Sequence, residues 1–480
     1  MAGENGNSLL ELNELLEATG GVHVLGSGRF YFDSVQTDSR AVEKNTLFVP
    51  LIGEKQDGHV YIPQAVEKGA GAVIISFRNF EKDGSLFSEI SRKNPDVYFI
   101  AVENTLTALQ KAAGRYVEKF PDLIKIGITG SSGKTTTKEI AAALLRQKYT
   151  VITNKGNLNS ETGLPLSVFN IRKEHQVGIF EMGMNRENEI GEISAVLKPR
   201  LGIITNIGTA HIGCLGSREN IAREKAKVFD HFYGIGTGFI PKNDDFAGFL
   251  AEQVDGHVVY YGEGCDENIK FSADLGLDGT EFYVCGKKAV LKLPGRYNYN
   301  NALAAVALAE HLGLSAEQIV KGFESLEGMF GRSEVIRGKY TVIRDCYNAN
   351  PDSMEKALEF TGSVSGSFRK ILVLGDMLEL GEDSFREHEK TGEEAVSCGG
   401  SLIVFAGTEM KAAYEKAVKT AAEKKIDVKL EYVEGCSDAA MESIARLVKA
   451  SASAGDIILV KGSRGMGLER AVSMILGETE

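Results

Sequence analysis

The chain has 480 residues, too many for one hydrophobic core, since single cores stop growing near roughly 250–300 residues; two or three domains are expected. Hydrophobic residues make up 43% and charged residues 25%, a balance that excludes a mostly disordered, collagenous or membrane-spanning chain. With 54 basic against 66 acidic side chains the net charge is −12, so a nucleic acid meets overall repulsion and no nucleic-acid partner is expected.

The first residues carry Glu4, Glu11, Glu14 and Glu17 without a basic leader, and no apolar run nears the ~18 residues of a membrane span. Six scattered cysteines show neither zinc nor redox spacing, which suits free thiols. A cytoplasmic protein with no membrane insertion is expected.

Ser8-Leu9-Leu10-Glu11 has capping-box form and predicts a short amphipathic helix stopping at Gly20-Gly21. Short β-type runs at 30–32, 47–51 and 72–77, with one helix near 62–68, predict a small α/β unit. Leu106, Leu109, Ala113, Tyr116, Val117 and Phe120 recur at helical spacing, and a buried strand at 123–129 then enters a glycine-rich loop. Strands at 151–153, 177–181, 201–207 and 238–241 alternate with helical stretches, the pattern of a mostly parallel sheet. Residues 258–293 read as a small antiparallel excursion, and 302–311 as a helix. Strands at 340–345, 370–375, 402–407 and 457–461, each followed by a helix, predict a doubly wound last domain. The expected architecture is α/β with three domains: a small N-terminal unit at 1–102, a central phosphate-loop domain with a mostly parallel sheet at 103–331, and a Rossmann-like domain at 332–480.

The sharpest chemical signal is Thr129-Gly130-Ser131-Ser132-Gly133-Lys134-Thr135-Thr136, set between a predicted strand and a predicted helix. Gly130 and Gly133 let backbone N–H groups face phosphates, Lys134 supplies a point charge, and Thr135 offers a hydroxyl to Mg²⁺. Ile128 stands where the longer phosphate-loop pattern has glycine, so the match is to the shorter G-x-x-G-K-T form. Glu181 ends one predicted strand and His211 follows another, which puts both at the carboxyl edge of the sheet, where open α/β sheets bind ligands. Lys225 shares a helical face with Ile221 and Phe229, as a lysine whose stem covers apolar neighbours would. Thr37-Asp38-Ser39-Arg40 is either a polar set for a nucleoside diphosphate or a capped turn. Asp345 alone reads as a strand-end turn residue.

The short loop resembles the ATP-binding loop of the Mur ligase family, the ATP-dependent amide ligases of cell-wall precursor synthesis. The likeness continues through Thr37-Asp38-Ser39-Arg40, Asp57-Gly58-His59, Glu181-Met182-Gly183, Thr205-Asn206-Ile207-Gly208-Thr209-Ala210-His211, Asn243-Asp244-Asp245 and Lys461-Gly462-Ser463-Arg464-Gly465. Tyr347-Asn348-Ala349-Asn350-Pro351 and Gly375-Asp376-Met377-Leu378-Glu379-Leu380-Gly381 resemble the branch that adds D-alanyl-D-alanine to UDP-N-acetylmuramoyl-tripeptide.

The resemblance implies ATP and Mg²⁺ as cofactors; a monomer is expected. Residues Gly130, Ser131, Ser132, Gly133, Lys134, Thr135 and Thr136 would hold the phosphates, and Asn298 with Asn301 the adenine. Arg332, Asp345, Tyr347 and Asn348 would reach the nucleotide from the last domain. It makes Thr135, Glu181, His211 and Lys225 metal ligands, Lys225 after carbamylation by CO₂. Thr37, Asp38, Ser39, Arg40, Asp57 and His59 would bind the UDP end, while Asn157, Asn159, Ser160, Glu161 and Thr162 would face sugar and peptide. Lys461, Ser463 and Arg464 would receive the dipeptide. Three alternatives stand beside this. A ligase adding the third amino acid carries Asp-Asn-Pro-Arg, which this sequence lacks; a folylpolyglutamate-type ligase lacks the N-terminal motifs; a phosphate-loop switch would hydrolyse nucleotide without joining substrates.

Overall fold

The computed structural model describes residues 8–53, 56–364, 366 and 368–478; Glu4 and the outer limits of the expected first and last domains lie outside them. Three α/β units follow one another along the chain. The first sheet has the order Val22–Leu25, Tyr98–Val102, Ala70–Ser76, Thr46–Phe48, Ser34–Gln36, its first pairing antiparallel and the rest parallel. The central sheet is parallel throughout, in the order Gly256–Tyr261, Gly236–Pro241, Leu201–Ile204, Ile124–Thr129, Val177–Glu181, Val151–Thr153. The last sheet runs Glu334–Arg337, Thr341–Asp345, Ile457–Lys461, Lys370–Gly375, Leu402–Ala406, Lys429–Val433, antiparallel only at its first pairing.

Strands such as Val177–Glu181 and Ile457–Lys461 are buried along their whole length, because helices cover both faces of the sheets. Helix Thr105–Val117 joins the first two units. Leu109, Ala112 and Tyr116 lie in one apolar cluster with Leu10, Leu15 and Ile100 on one side and Phe169, Ile190 and Ile193 on the other. The two faces of the last sheet form separate clusters of their own. No helix among the described residues is long and apolar enough to cross a membrane.

Several local expectations are corrected. The first helix is Leu12–Thr19, with Glu11 as its cap and Glu14 closing the capping box; Ser8 Oγ instead donates to the Phe32 carbonyl at 3.2 Å. Residues 30–32 form no strand, and Phe32 is a fully buried plug beside Ser34–Gln36. Helix Phe77–Lys93 escaped the sequence pattern because it buries few residues and bends at Asp83, next to a Gly-Ser pair that looks like a turn. Gly256–Tyr261 belongs to the central sheet as a parallel edge strand, and the antiparallel excursion is confined to Ile269–Asp274, Thr280–Val284 and Lys287–Leu291. An edge strand open to water alternates in polarity like a hairpin strand, so the pattern does not separate them.

Candidate active site

Strand order decides which residues meet. Ile124–Thr129 lies between Leu201–Ile204 and Val177–Glu181, so the phosphate loop, Glu181 and residues 205–211 leave the sheet side by side at its carboxyl edge. The last domain faces this edge across a cleft of about 960 Å³.

Gly133 has φ 77 and lies against Asn301 Oδ1, so neither its backbone nor its surroundings accept a side chain. Helix Lys134–Leu145 starts directly after it, adding unpaired first-turn N–H groups and the positive end of its dipole. The Asn206 side chain holds the loop by accepting from Ser132 N–H at 3.1 Å and donating to the Ser132 carbonyl at 3.1 Å. Lys134 Nζ donates to the Gly130 carbonyl at 2.8 Å. Burial pulls its pKa down, and the neighbouring Glu181 charge works against that fall.

Both oxygens of buried Glu181 are engaged: Thr135 Oγ1 donates to Oε2 at 2.5 Å and Asn159 Nδ2 to Oε1 at 2.7 Å. Burial opposes its ionisation, yet Lys134, Arg332 and the Thr135 hydroxyl outweigh burial and hold the carboxyl below its usual range. His211 sits at φ 66 with its Nδ1 buried, 3.4 Å from Glu379 Oε2 but outside hydrogen-bond geometry. Burial lowers its pKa, with Glu379 opposing and the Lys134 and Lys225 charges assisting, which favours the uncharged ring. Lys225, on helix Arg218–Ala226, is 1% exposed and is not among the residues lining the cleft. Its Nζ makes no hydrogen bond or ion pair among the described residues, and burial plus the Lys134 charge push its pKa well down.

From the other side Arg332, Asp345, Tyr347, Asn348, Lys461, Ser463 and Arg464 line the same cleft. The Arg332 guanidinium stacks on the Tyr347 ring at 4.1 Å. Asp345 accepts Ser333 N–H at 3.0 Å and Lys461 Nζ at 2.7 Å, so the buried Lys461 charge is matched inside the protein. Ser463 Oγ accepts Leu378 N–H at 2.9 Å, and Arg464 lies 3.2 Å from Glu469. Asn298 and Asn301 line the cleft from helix Arg296–His311; Asn298 Nδ2 donates to the Pro294 carbonyl at 2.8 Å.

Ser131, Ser132, Thr136, Asn157 and Ser160 also line the cleft, whereas Gly130, Glu161 and Thr162 flank it; Glu161 is paired with Arg186. The N-terminal set does not line it. Asp38 caps the turn Ser39–Ala41, and its pairing with the Arg40 side chain and N–H holds its carboxyl down at about 2, while Thr37 is half-buried and Ser39 Oγ donates to Gln64 Oε1 at 2.7 Å. His59 is buried and accepts Ser76 N–H on Nε2 at 3.0 Å, which leaves the proton on Nδ1 to donate to Asp57 at 2.6 Å. Asp57 also accepts from Asn79 Nδ2 at 2.8 Å.

Lys242, Lys356 and Glu379 line the cleft without having been singled out for a role. For Lys356 the available signal was its i,i+4 spacing from Asp352 on helix Pro351–Ser363, which puts both on one face.

A parallel-sheet domain with a phosphate loop, faced across its carboxyl edge by a second doubly wound domain, defines a nucleotide-binding protein built to act on a phosphate chain between two bodies. Family models for the Mur ligase family catalytic domain, the Mur ligase middle domain and the Mur ligase glutamate ligase domain match residues 32–117, 128–309 and 331–464. The chain belongs to the Mur ligase family. It is 40% identical over 471 residues to the UDP-N-acetylmuramoyl-tripeptide–D-alanyl-D-alanine ligase of Treponema pallidum, covering 98% of this chain and 100% of that one. A crystal structure of MurF from Acinetobacter baumannii superposes with TM-score 0.82 at 30% identity, covering 97% of this chain and 98% of that one. MurF ligase from Thermotoga maritima, solved in complex with ADP, superposes with TM-score 0.74 at 26% identity, covering 93% and 97%.

Proposed function

We propose that the chain is an ATP-dependent, ADP-forming amide ligase that joins D-alanyl-D-alanine to UDP-N-acetylmuramoyl-tripeptide in peptidoglycan precursor synthesis, working as a cytoplasmic monomer. The observation that carries this reading is the meeting of the phosphate loop and the Arg332 to Arg464 set around one cleft, in a chain alike over its whole length to ligases of that name.

The tripeptide carboxylate attacks the ATP γ-phosphorus, ADP leaves, and the acyl phosphate is opened by the dipeptide amine with loss of phosphate. Carboxylate and triphosphate repel, so the protein places cations between them. Lys134 and the loop N–H groups neutralise the transferring phosphoryl, Arg332 approaches from the last domain, and Asn298 with Asn301 flank the base. Residues 1–102 hold the UDP end through Thr37 to Arg40 and Asp57, with His59 bracing Asp57. Residues 103–331 hold ATP, with Asn157 to Thr162 toward the peptide. Residues 332–480 bring the dipeptide, Lys461 acting through Asp345 while Ser463 and Arg464 face the ligand.

The oxygen donors of the proposed set suit Mg²⁺. Thr135 Oγ1 and Glu181 are hard oxygen donors already in contact at 2.5 Å, and the buried, unsatisfied His211 Nδ1 marks a second position. Lys225 would join His211 as a carbamate, which its amine would form by adding CO₂ and releasing a proton. When bound, the metal supplies charge neutralisation of the phosphate oxygens.

The test is amine dependence. With UDP-tripeptide present, ADP release should require D-alanyl-D-alanine; release indifferent to any amine would instead make the chain a nucleotide hydrolase.

A further inference from the structure

The segment after strand Leu201–Ile204 carries two glycines that its own backbone does not require: neither Gly208 nor Gly213 has positive φ. A methyl group on Gly208 would overlap Asp352 Oδ2, and one on Gly213 would stand 2.9 Å from the Leu380 carbonyl oxygen and 3.0 Å from Gly381 N. Asp352, Leu380 and Gly381 all belong to the last domain. At these positions the missing side chain makes room for another domain, not for a turn.

Polar contacts run through the same junction. Asp352 Oδ2 accepts Thr209 N–H at 2.9 Å, and Asn350 Nδ2 donates to the Ser131 carbonyl of the phosphate loop at 3.3 Å. Ser131 Oγ in turn accepts Gly208 N–H at 2.9 Å. Asn350 is the N-cap of helix Pro351–Ser363, accepting Ser353 N–H at 2.9 Å, so its side chain is fixed before it reaches across. The first turn of one rigid helix thus grips both the phosphate loop and the residues leading to His211.

We infer that Asn350 and Asp352 are positioning residues for amide formation: they seat the last domain on the phosphate loop and on residues 208–211, and Gly208 and Gly213 are glycine so that this seating can form. The inference rests on the ligase reading above. The dipeptide amine arrives on the last domain and the acyl phosphate lies on the central one, so the seating sets their approach, and a misplacement of about 1 Å costs on the order of 10²-fold in rate.

A double-mutant cycle on the full chain tests this. Gly208→Ala should lower kcat by about 10²-fold and ADP binding far less, because the methyl overlaps Asp352 Oδ2 but only crowds Ser131 Cβ of the phosphate loop, at 3.3 Å. Asp352→Ala should lower kcat by roughly tenfold, the scale of one lost hydrogen bond to a charged group. Asp352→Asn, which keeps an acceptor, should recover most of that loss. The double variant Gly208→Ala with Asp352→Ala should come within a few-fold of Asp352→Ala alone, since the overlap with Asp352 is gone and only the 3.3 Å approach to Ser131 Cβ remains. Multiplying losses in the double variant, or a parental kcat in Gly208→Ala, would overturn the inference. A parent without dipeptide-dependent ADP release would instead sink the ligase reading itself.

Discussion

Lys134→Ala is expected to lower dipeptide-dependent ADP formation by about 10³-fold in kcat while leaving UDP-tripeptide binding unchanged. The ammonium rests on the Gly130 carbonyl at 2.8 Å, beside Glu181 and within the field of Arg332. It starts the phosphate-loop helix, and in the proposed reaction it is one of the cations set between carboxylate and triphosphate. The set proposed for the UDP end lies on the first domain outside the cleft, so binding there should survive. Steady-state kinetics over a range of ATP concentrations, with UDP-tripeptide titrated separately, checks both halves. A fall confined to the apparent affinity for ATP, with kcat intact, would remove Lys134 from the chemical step.

Lys225→Met should abolish activity and yet stabilise the protein in bicarbonate-free buffer, by about 1–3 kcal/mol near neutral pH. The lysine is 1% exposed, its amine makes no hydrogen bond or ion pair among the described residues, and the nearby Glu224 charge only partly offsets its burial. Burial and the Lys134 charge depress its folded-state pKa well below the ordinary 10.5. The unfolded chain therefore binds more protons than the folded one between the two pKa values, and the penalty grows as pH falls through that window. The stability gained by the methionine variant should be largest below the folded-state pKa and vanish above the unfolded one. Urea melts of parent and variant at several pH values, read beside the activity, decide this. Such a residue is retained for chemistry at the expense of stability. Equal melts at every pH would mean that the amine is better solvated than its burial indicates.

How far the sequence reaches can be judged residue by residue. Gly130 to Thr136 was legible because a phosphate loop is contiguous and sits between a strand and a helix. The convergence of Glu181 and His211 followed from strand ends, since parallel order puts successive carboxyl ends on one edge. The pairing of Lys461 with Asp345 was not legible: the two are 116 residues apart and meet only because Ile457–Lys461 lies in register beside Thr341–Asp345. Asp352, the residue after the Tyr347 to Pro351 motif, was not legible because its partner is a backbone N–H 143 residues away, which no side-chain pattern records. Helix Phe77–Lys93 and the edge strands Glu334–Arg337 and Lys429–Val433 were missed for a different reason. They bury little, and periodicity reports only what burial imposes.

In the proposed reaction the acid's own oxygen attacks phosphorus before any amide forms. The measurement is the fate of ¹⁸O placed in the terminal carboxylate of the UDP-tripeptide during turnover with ATP and D-alanyl-D-alanine. Released phosphate should carry one labelled oxygen for each amide made, as cleavage of an acyl phosphate at its carbonyl carbon requires. Phosphate free of label, formed alongside the amide, would contradict the account.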